Sequence, residues 1–210
     1  MTNFTDLAGL AGVAGATAAS VTLLPGIVRL TKLHPALLPG AIFVLMLIPF
    51  SGFPLAAYVR GATGDLSITT LVLVWCALTR PWLGCGAENT GNRRALLMLV
   101  ALSALALYPL ALGLTAFDPY RPGYGEPLFV VALLLVALAA WTWKYDLIAL
   151  CIALATLAWA IGWYESDNLW DYLLDPFVSI YALAAIMLQT AKALLRLSRV
   201  HQSQPKLPAA

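Results

Sequence analysis

Residues 165–175 hold four carboxylates, Glu165, Asp167, Asp171 and Asp175, and no Lys or Arg, in a chain where only 10% of residues are charged. Oxygen ligands of this kind suit hard cations. A pair of carboxylates can also divide general acid and base roles. Asp167, Asp171 and Asp175 recur at i, i+4 and i+8, which aligns them on one face of a short helix. Like charges at that spacing repel by about a few tenths of a kcal/mol. Arg60 or Arg121 from neighbouring loops, a bound divalent cation, or a basic partner surface would offset the repulsion. A solvated acidic loop without any ligand is the plainer alternative. We therefore take Glu165, Asp167, Asp171 and Asp175 as a candidate cation- or partner-binding cluster, with no metal site assigned.

The rest of the sequence offers little other chemistry. Cys76, Cys85 and Cys151 form no CxxC pair and read as small apolar residues. The two histidines, His34 and His201, lie outside the apolar segments. Axial haem ligation and a His-based zinc site therefore have no support. There is no Gly-rich phosphate loop and no GxSxG elbow. No cofactor and no catalytic residue is assigned, and nothing points to nucleic acid.

The elements that must position the acids are apolar helices. Of the 210 residues 61% are hydrophobic, and the mean hydropathy is +0.85. A soluble domain carries about 25% charged residues, so this composition predicts an all-α, polytopic transmembrane helical bundle. A crossing needs about 20 apolar residues. Six segments meet or approach that length: 36–59, 66–84, 95–117, 127–143, 146–164 and 177–197. The Ala/Gly-rich segment 7–28 is a candidate seventh. Its Ala8, Gly12, Ala16 and Ser20 make a small-residue stripe of the kind that lets helices approach closely. Residues 1–200 read as a single membrane domain and 201–210 as a disordered cytoplasmic tail.

Ten of the twelve basic residues fall in one set of loops and ends, leaving only Arg60 and Arg121 in the other. The ten-residue side is then cytoplasmic. The C-terminus is cytoplasmic with it, residues 165–176 are extracytoplasmic, and the chain is a multi-pass protein of the inner membrane. Acids sort the opposite way, which the positive-inside rule does not require. Part of that bias has a structural account. Asp65 precedes one apolar segment, and Glu126-Pro127 and Asp175-Pro176 open two others; on the inner side Asp146 opens a fourth. An acid near the cap faces the positive end of the helix dipole. Asp65, Glu126 and Asp146 are accordingly read as helix caps. Asp167 is expected to cap a short helix over 168–174, whose Leu169, Trp170, Leu173 and Leu174 would dip into lipid headgroups. "IPFSGFP" at 48–54 and "YPLALG" at 108–113 should interrupt their helices, because proline removes a backbone donor.

No Asp, Glu, Lys, Arg or His lies within 36–59, 66–79, 95–117, 127–143, 147–164 or 177–191, the interiors of the six segments. Such groups usually mark ion pathways and proton relays. The expectation is a non-catalytic accessory or scaffold subunit of an envelope complex, partnered by the lipid bilayer and by a membrane protein or a second copy. Two alternatives stand beside it: a metal-assisted enzyme acting on a lipid or lipid-linked substrate at the outer leaflet, and a small channel or facilitator.

Overall fold

The computed structural model describes residues 4–24, 27, 37–79, 90–114 and 118–202. Asn3, Arg29, Lys32, His34, Arg80, Trp82, Cys85, Glu88, Phe117 and the tail from 203 onward lie outside the described residues, as do the side chains of Arg196, Arg199 and His201.

The chain is all-helical apart from one short hairpin. In order it forms α1 (Phe4–Thr22), α2 (Leu37–Leu47), strands β1 (Pro49–Phe50) and β2 (Phe53–Pro54), α3 (Leu55–Thr63), α4 (Ile68–Thr79) and α5 (Thr90–Pro109). It continues with α6 (Pro127–Thr142), α7 (Asp146–Ala160), α8 (Leu169–Leu173) and α9 (Pro176–Gln202).

Among the described residues two helical stretches, Thr90–Gly113 and Pro176–Leu195, are long and apolar enough to cross a membrane. The expected six or seven helices of that length are corrected to two among the described residues. α2, α4, α6 and α7 are apolar but shorter, at 11, 12, 16 and 15 residues. α1 has 19 residues and is not one of the two stretches. Local chemistry accounts for several of the stops. α2 ends where Pro49 and Pro54 pair across β1 and β2, with Phe50 opposite Phe53. Ser51 and Gly52 form the turn with φ of 52° and 100°, the left-handed pair that a tight two-residue hairpin requires. The Tyr58 hydroxyl donates to the Phe50 carbonyl at 2.9 Å, giving a partner to a backbone group that the helix break released. α7 stops before Gly162, whose φ is +64°. In α5, Pro109 and Gly113 do interrupt the helix. The chain widens into a π-helical turn over Leu110–Leu114, with Gly113 at φ +86°. A proline ring crowds the carbonyl four residues back, and a wider turn relieves it.

α7 is the centre of the bundle. Its Leu147, Ile148, Cys151, Ile152, Ala155 and Ala158 are all buried, and it packs on α4, α5, α6 and α8. α5 lies along α9, and α1 packs against α2, α3 and α4. The small residues of α1 permit that closeness. Ala8, Ala14, Ala16, Ala18 and Ala19 are buried with Val13, whereas Ser20 is exposed. The stripe expected from the sequence is therefore part of a broader contact surface. α6 is the opposite case: of its 16 residues only Ala140 is buried.

Gly9 holds the most constrained position on α1. A Cβ there would overlap the Asp65 carboxylate and the Arg60 guanidinium. Gly9→Val should therefore lower stability by about 1–3 kcal/mol through overpacking, read by unfolding of the detergent-solubilised protein. The loss should shrink when Arg60 is first replaced by Ala, and a loss unchanged in that background would place the strain elsewhere.

Candidate functional site

The acids expected to act together are gathered at one end of the bundle, where α4, α6 and α9 begin and α5 and α7 finish. They do not converge on a point. Each has its own set of partners, and these differ in kind.

Asp175 is buried, at 5% exposure. One carboxylate oxygen accepts the Val178 N–H at 2.8 Å, which caps α9. The other accepts the Ser67 N–H at 2.8 Å and the Thr70 hydroxyl. Ser67 is itself the cap of α4, its Oγ accepting the Thr70 N–H at 3.2 Å. One carboxylate thus lies between the N-termini of two helices. Both macrodipoles point their positive ends at it, and charge-assisted bonds fill its lone pairs. Pro176 follows at the first helical position, where its missing N–H costs nothing.

Asp171 accepts the Tyr120 hydroxyl at 2.7 and 2.8 Å through its two oxygens and the Ser166 hydroxyl at 2.5 Å. Burial raises the pKa of Tyr120 well above the ordinary phenol value, and its bond to Asp171 raises it further, so the hydroxyl remains a neutral donor. α8 exists as expected, but its cap is Asn168 and not Asp167. The Asn168 Oδ1 accepts the Trp170 N–H at 2.9 Å, and its Nδ2 donates to the Tyr120 carbonyl at 3.0 Å. Asp167 is exposed, and only its backbone is engaged here, its carbonyl accepting the Trp159 indole N–H at 2.8 Å.

Nor does α8 lie flat with its leucines outward. Leu169 and Tyr172 are fully buried, and Leu173 and Leu174 nearly so. The Tyr172 ring stacks on Tyr164 with centroids 5.2 Å apart. Its hydroxyl lies 3.0 Å from the Tyr164 N–H, which donates to it. Residues 163–175 form an inward-packed plug because these local polar bonds let the apolar side chains turn toward α7 and α4. Gly123 sits beneath the plug, and a Cβ on it would overlap the Asn168 carboxamide.

Glu165 is 65% exposed and lies 3.8 Å from Arg60. Arg60 is the charge centre of this side. It makes a two-pronged contact with Asp65, at 2.6 and 2.9 Å, and reaches Asp6 at 3.2 Å. The hydrogen bond it donates to Asp65 is the main reason its pKa lies far above the ordinary guanidinium value, and desolvation opposes that only in part. Asp65, expected as a helix cap, therefore serves as an ion-pair partner, and Ser67 takes the cap. Glu126 occupies the cap position of α6 with Pro127 after it, yet its carboxylate makes no capping bond. Asp146 lies in the first turn of α7, one residue after the cap position at Tyr145. Both acids face the helix dipole without closing a hydrogen bond.

Among the described residues no three His, Cys, Asp or Glu side chains come together in a way that could hold a metal ion. Uncharged partners complete the arrangement: Ser67, Thr70, Tyr120, Ser166, Asn168 and Tyr172. Ser67 followed by Thr70 is a recognisable capping signal in the sequence. The others have no local signature. The chain matches no protein-family model, no curated protein sequence and no solved structure.

Asp175→Ala should cost about 3 kcal/mol or more, because it strands two buried donors at the start of α4. Asp175→Asn, which keeps one acceptor oxygen, should cost visibly less. Denaturant unfolding in detergent measures both, and equal losses would refute the shared-carboxylate account. Gly123→Ala should cost about 1–3 kcal/mol by displacing Asn168, read as a lowered thermal midpoint.

Proposed function

We propose that the chain is a multi-pass inner-membrane protein that serves as an accessory or scaffold subunit of an envelope complex. The observation that carries this reading is what the acids do. Asp175, Asp171, Asp65 and Asp6 are engaged in contacts that fix helices and loops to one another. Groups used in this way build a rigid cap and are poorly placed to exchange protons or metals with a substrate.

The exposed surface supports a membrane setting. Leu128, Leu135 and Trp141 on α6 are 74%, 61% and 62% exposed, and Met187 and Leu194 on α9 are 71% and 62% exposed. Apolar area of that extent belongs against lipid or a partner helix. The short helices fit the same setting. A helix of the length of α6 spans about 24 Å at about 1.5 Å per residue, against a hydrocarbon core of about 30 Å. Trp141, Trp143 and Tyr145 crowd the α6–α7 turn and would take up the remaining depth as interfacial rings. On this reading α2, α4, α6 and α7 complete a six-crossing bundle with the two long helices, and α1 is the seventh. The cytoplasmic side carries the C-terminus and Lys144, and residues 165–176 are extracytoplasmic.

One feature favours the lipid-enzyme alternative. A groove of about 520 Å³ between α1, α4 and α9 is lined by apolar residues such as Val13, Leu73 and Val178, and would admit an acyl chain. None of the four carboxylates of 165–175 lines it, although Arg93 and Tyr181 do, so the groove offers shelter for a chain with none of those acids beside it.

A cysteine introduced at the exposed position Asp167 should react with impermeant maleimide on intact cells, and one at the exposed position Lys144 only in inverted membrane vesicles. Affinity capture from native membranes should bring down an envelope protein in constant ratio, and Asp171→Asn should leave that ratio intact. A monomer with hydrolytic or transfer activity that vanishes in Asp171→Asn would overturn the subunit reading.

A further inference from the structure

Beside the plug, where α5 bends at Pro109, lies a cavity of about 210 Å³. Tyr108, Tyr120 and Trp170 line it together with Leu107, Leu174 and the carboxylate of Asp171. We propose that this cavity binds an alkylammonium group, the cation facing Asp171 and its carbon substituents resting among the three rings.

The charge state of the wall argues for a cation. Asp171 is only partly exposed, and both of its oxygens accept from neutral hydroxyls. No Lys, Arg or His among the described residues forms an ion pair with it. Hydroxyl donors stabilise a carboxylate without cancelling its charge, so the cavity keeps a net negative wall in a poorly solvated setting. The rings argue for an organic cation. Aromatic side chains attract cations whose charge is spread under a carbon sheath, and cages of this composition select ammonium ligands. A hard metal ion needs six or more oxygens, which one carboxylate in an apolar wall does not supply. An anion would meet the charge of Asp171 head on.

The cage is held in place before any ligand arrives. Trp170 donates its indole N–H to the Pro119 carbonyl at 3.0 Å and packs on Phe129 with ring centroids 4.9 Å apart. Tyr120 is fixed by Asp171 and by an edge contact with Tyr124. Fixed walls reduce the ordering cost of binding. The volume is below the roughly 300–1,000 Å³ of sites for drug-sized ligands, which fits a headgroup or a small amine. The source is either the ammonium headgroup of a membrane lipid or a soluble amine. The cation site is separate from the subunit role: a chain that captures no partner protein would still bind it.

The test uses the full-length chain in a zwitterion-free detergent and choline as the probe, followed by saturation-transfer NMR. Choline should bind at least about tenfold more tightly than its uncharged tert-butyl isostere. Asp171→Asn should abolish that preference. Equal binding of choline and its isostere by the unmodified chain would overturn the proposal without recourse to any variant. So would an Asp171→Asn protein of unchanged thermal midpoint that still prefers choline. Nanodiscs then separate the sources. Loss of choline binding in phosphocholine or phosphoethanolamine lipid, with retention in phosphoglycerol lipid, assigns the site to a headgroup. Equal binding in both assigns it to a soluble amine, and both results uphold the site.

Discussion

The buried carboxylate of Asp175 holds the acidic end of the bundle together. Taking an ionised carboxylate out of water is costly, by several kcal/mol even after the surroundings relax. Here two helix N-termini and a Thr hydroxyl offset that cost. The bonds join residues 108 positions apart in sequence. With α4 and α9 fixed at one point, α8 finds a defined floor, and α5 and α7 pack against helices whose relative positions are already set. The plug over 163–175 depends on that floor. Tyr172 and Leu169 could not be fully buried if α4 and α9 were free to separate.

Three classes of acid emerge at this end. Asp175, Asp65 and Asp6 face formal or partial positive charge from Arg60 or from helix termini. Asp171 faces only hydroxyls. Glu165 borders Arg60 at long range and stays in solvent, as does Asp167. The four acids that look equivalent as a run in the sequence are thus a helix cap, a cavity wall and two surface groups. Their shared spacing conveys nothing about this division, because the division is set by what packs against them from α4, from the 118–126 connection and from α3.

How much could be read from the sequence follows from the same distinction. Hydropathy located every long helix, since an apolar run records burial or lipid contact residue by residue. Asp175-Pro176 and Glu126-Pro127 mark helix starts because capping acts within three or four residues. Helix length was less legible. Segment 36–59 is continuous in hydropathy; Pro49, Gly52 and Pro54 marked an interruption, but not the hairpin that Ser51-Gly52 makes of it. The cap of α8 was misplaced by one residue, since Asp167 and Asn168 are equally good cap formers and tertiary contact with Tyr120 decides between them. The distant partners of Asp171 and Asp175, Tyr120 and Ser67, lie 51 and 108 residues away and are uncharged, so no local period or charge pattern could point to them.

The shared carboxylate also bears on biogenesis. Translation delivers Ser67 and Thr70 long before Asp175, and every intervening helix must emerge first. Until α9 arrives, the start of α4 has an amide and a hydroxyl that lack this carboxylate. The carboxyl-terminal segment therefore acts as the closing latch of the whole bundle, and a nascent chain stalled ahead of it is left with its amino-terminal half unsecured.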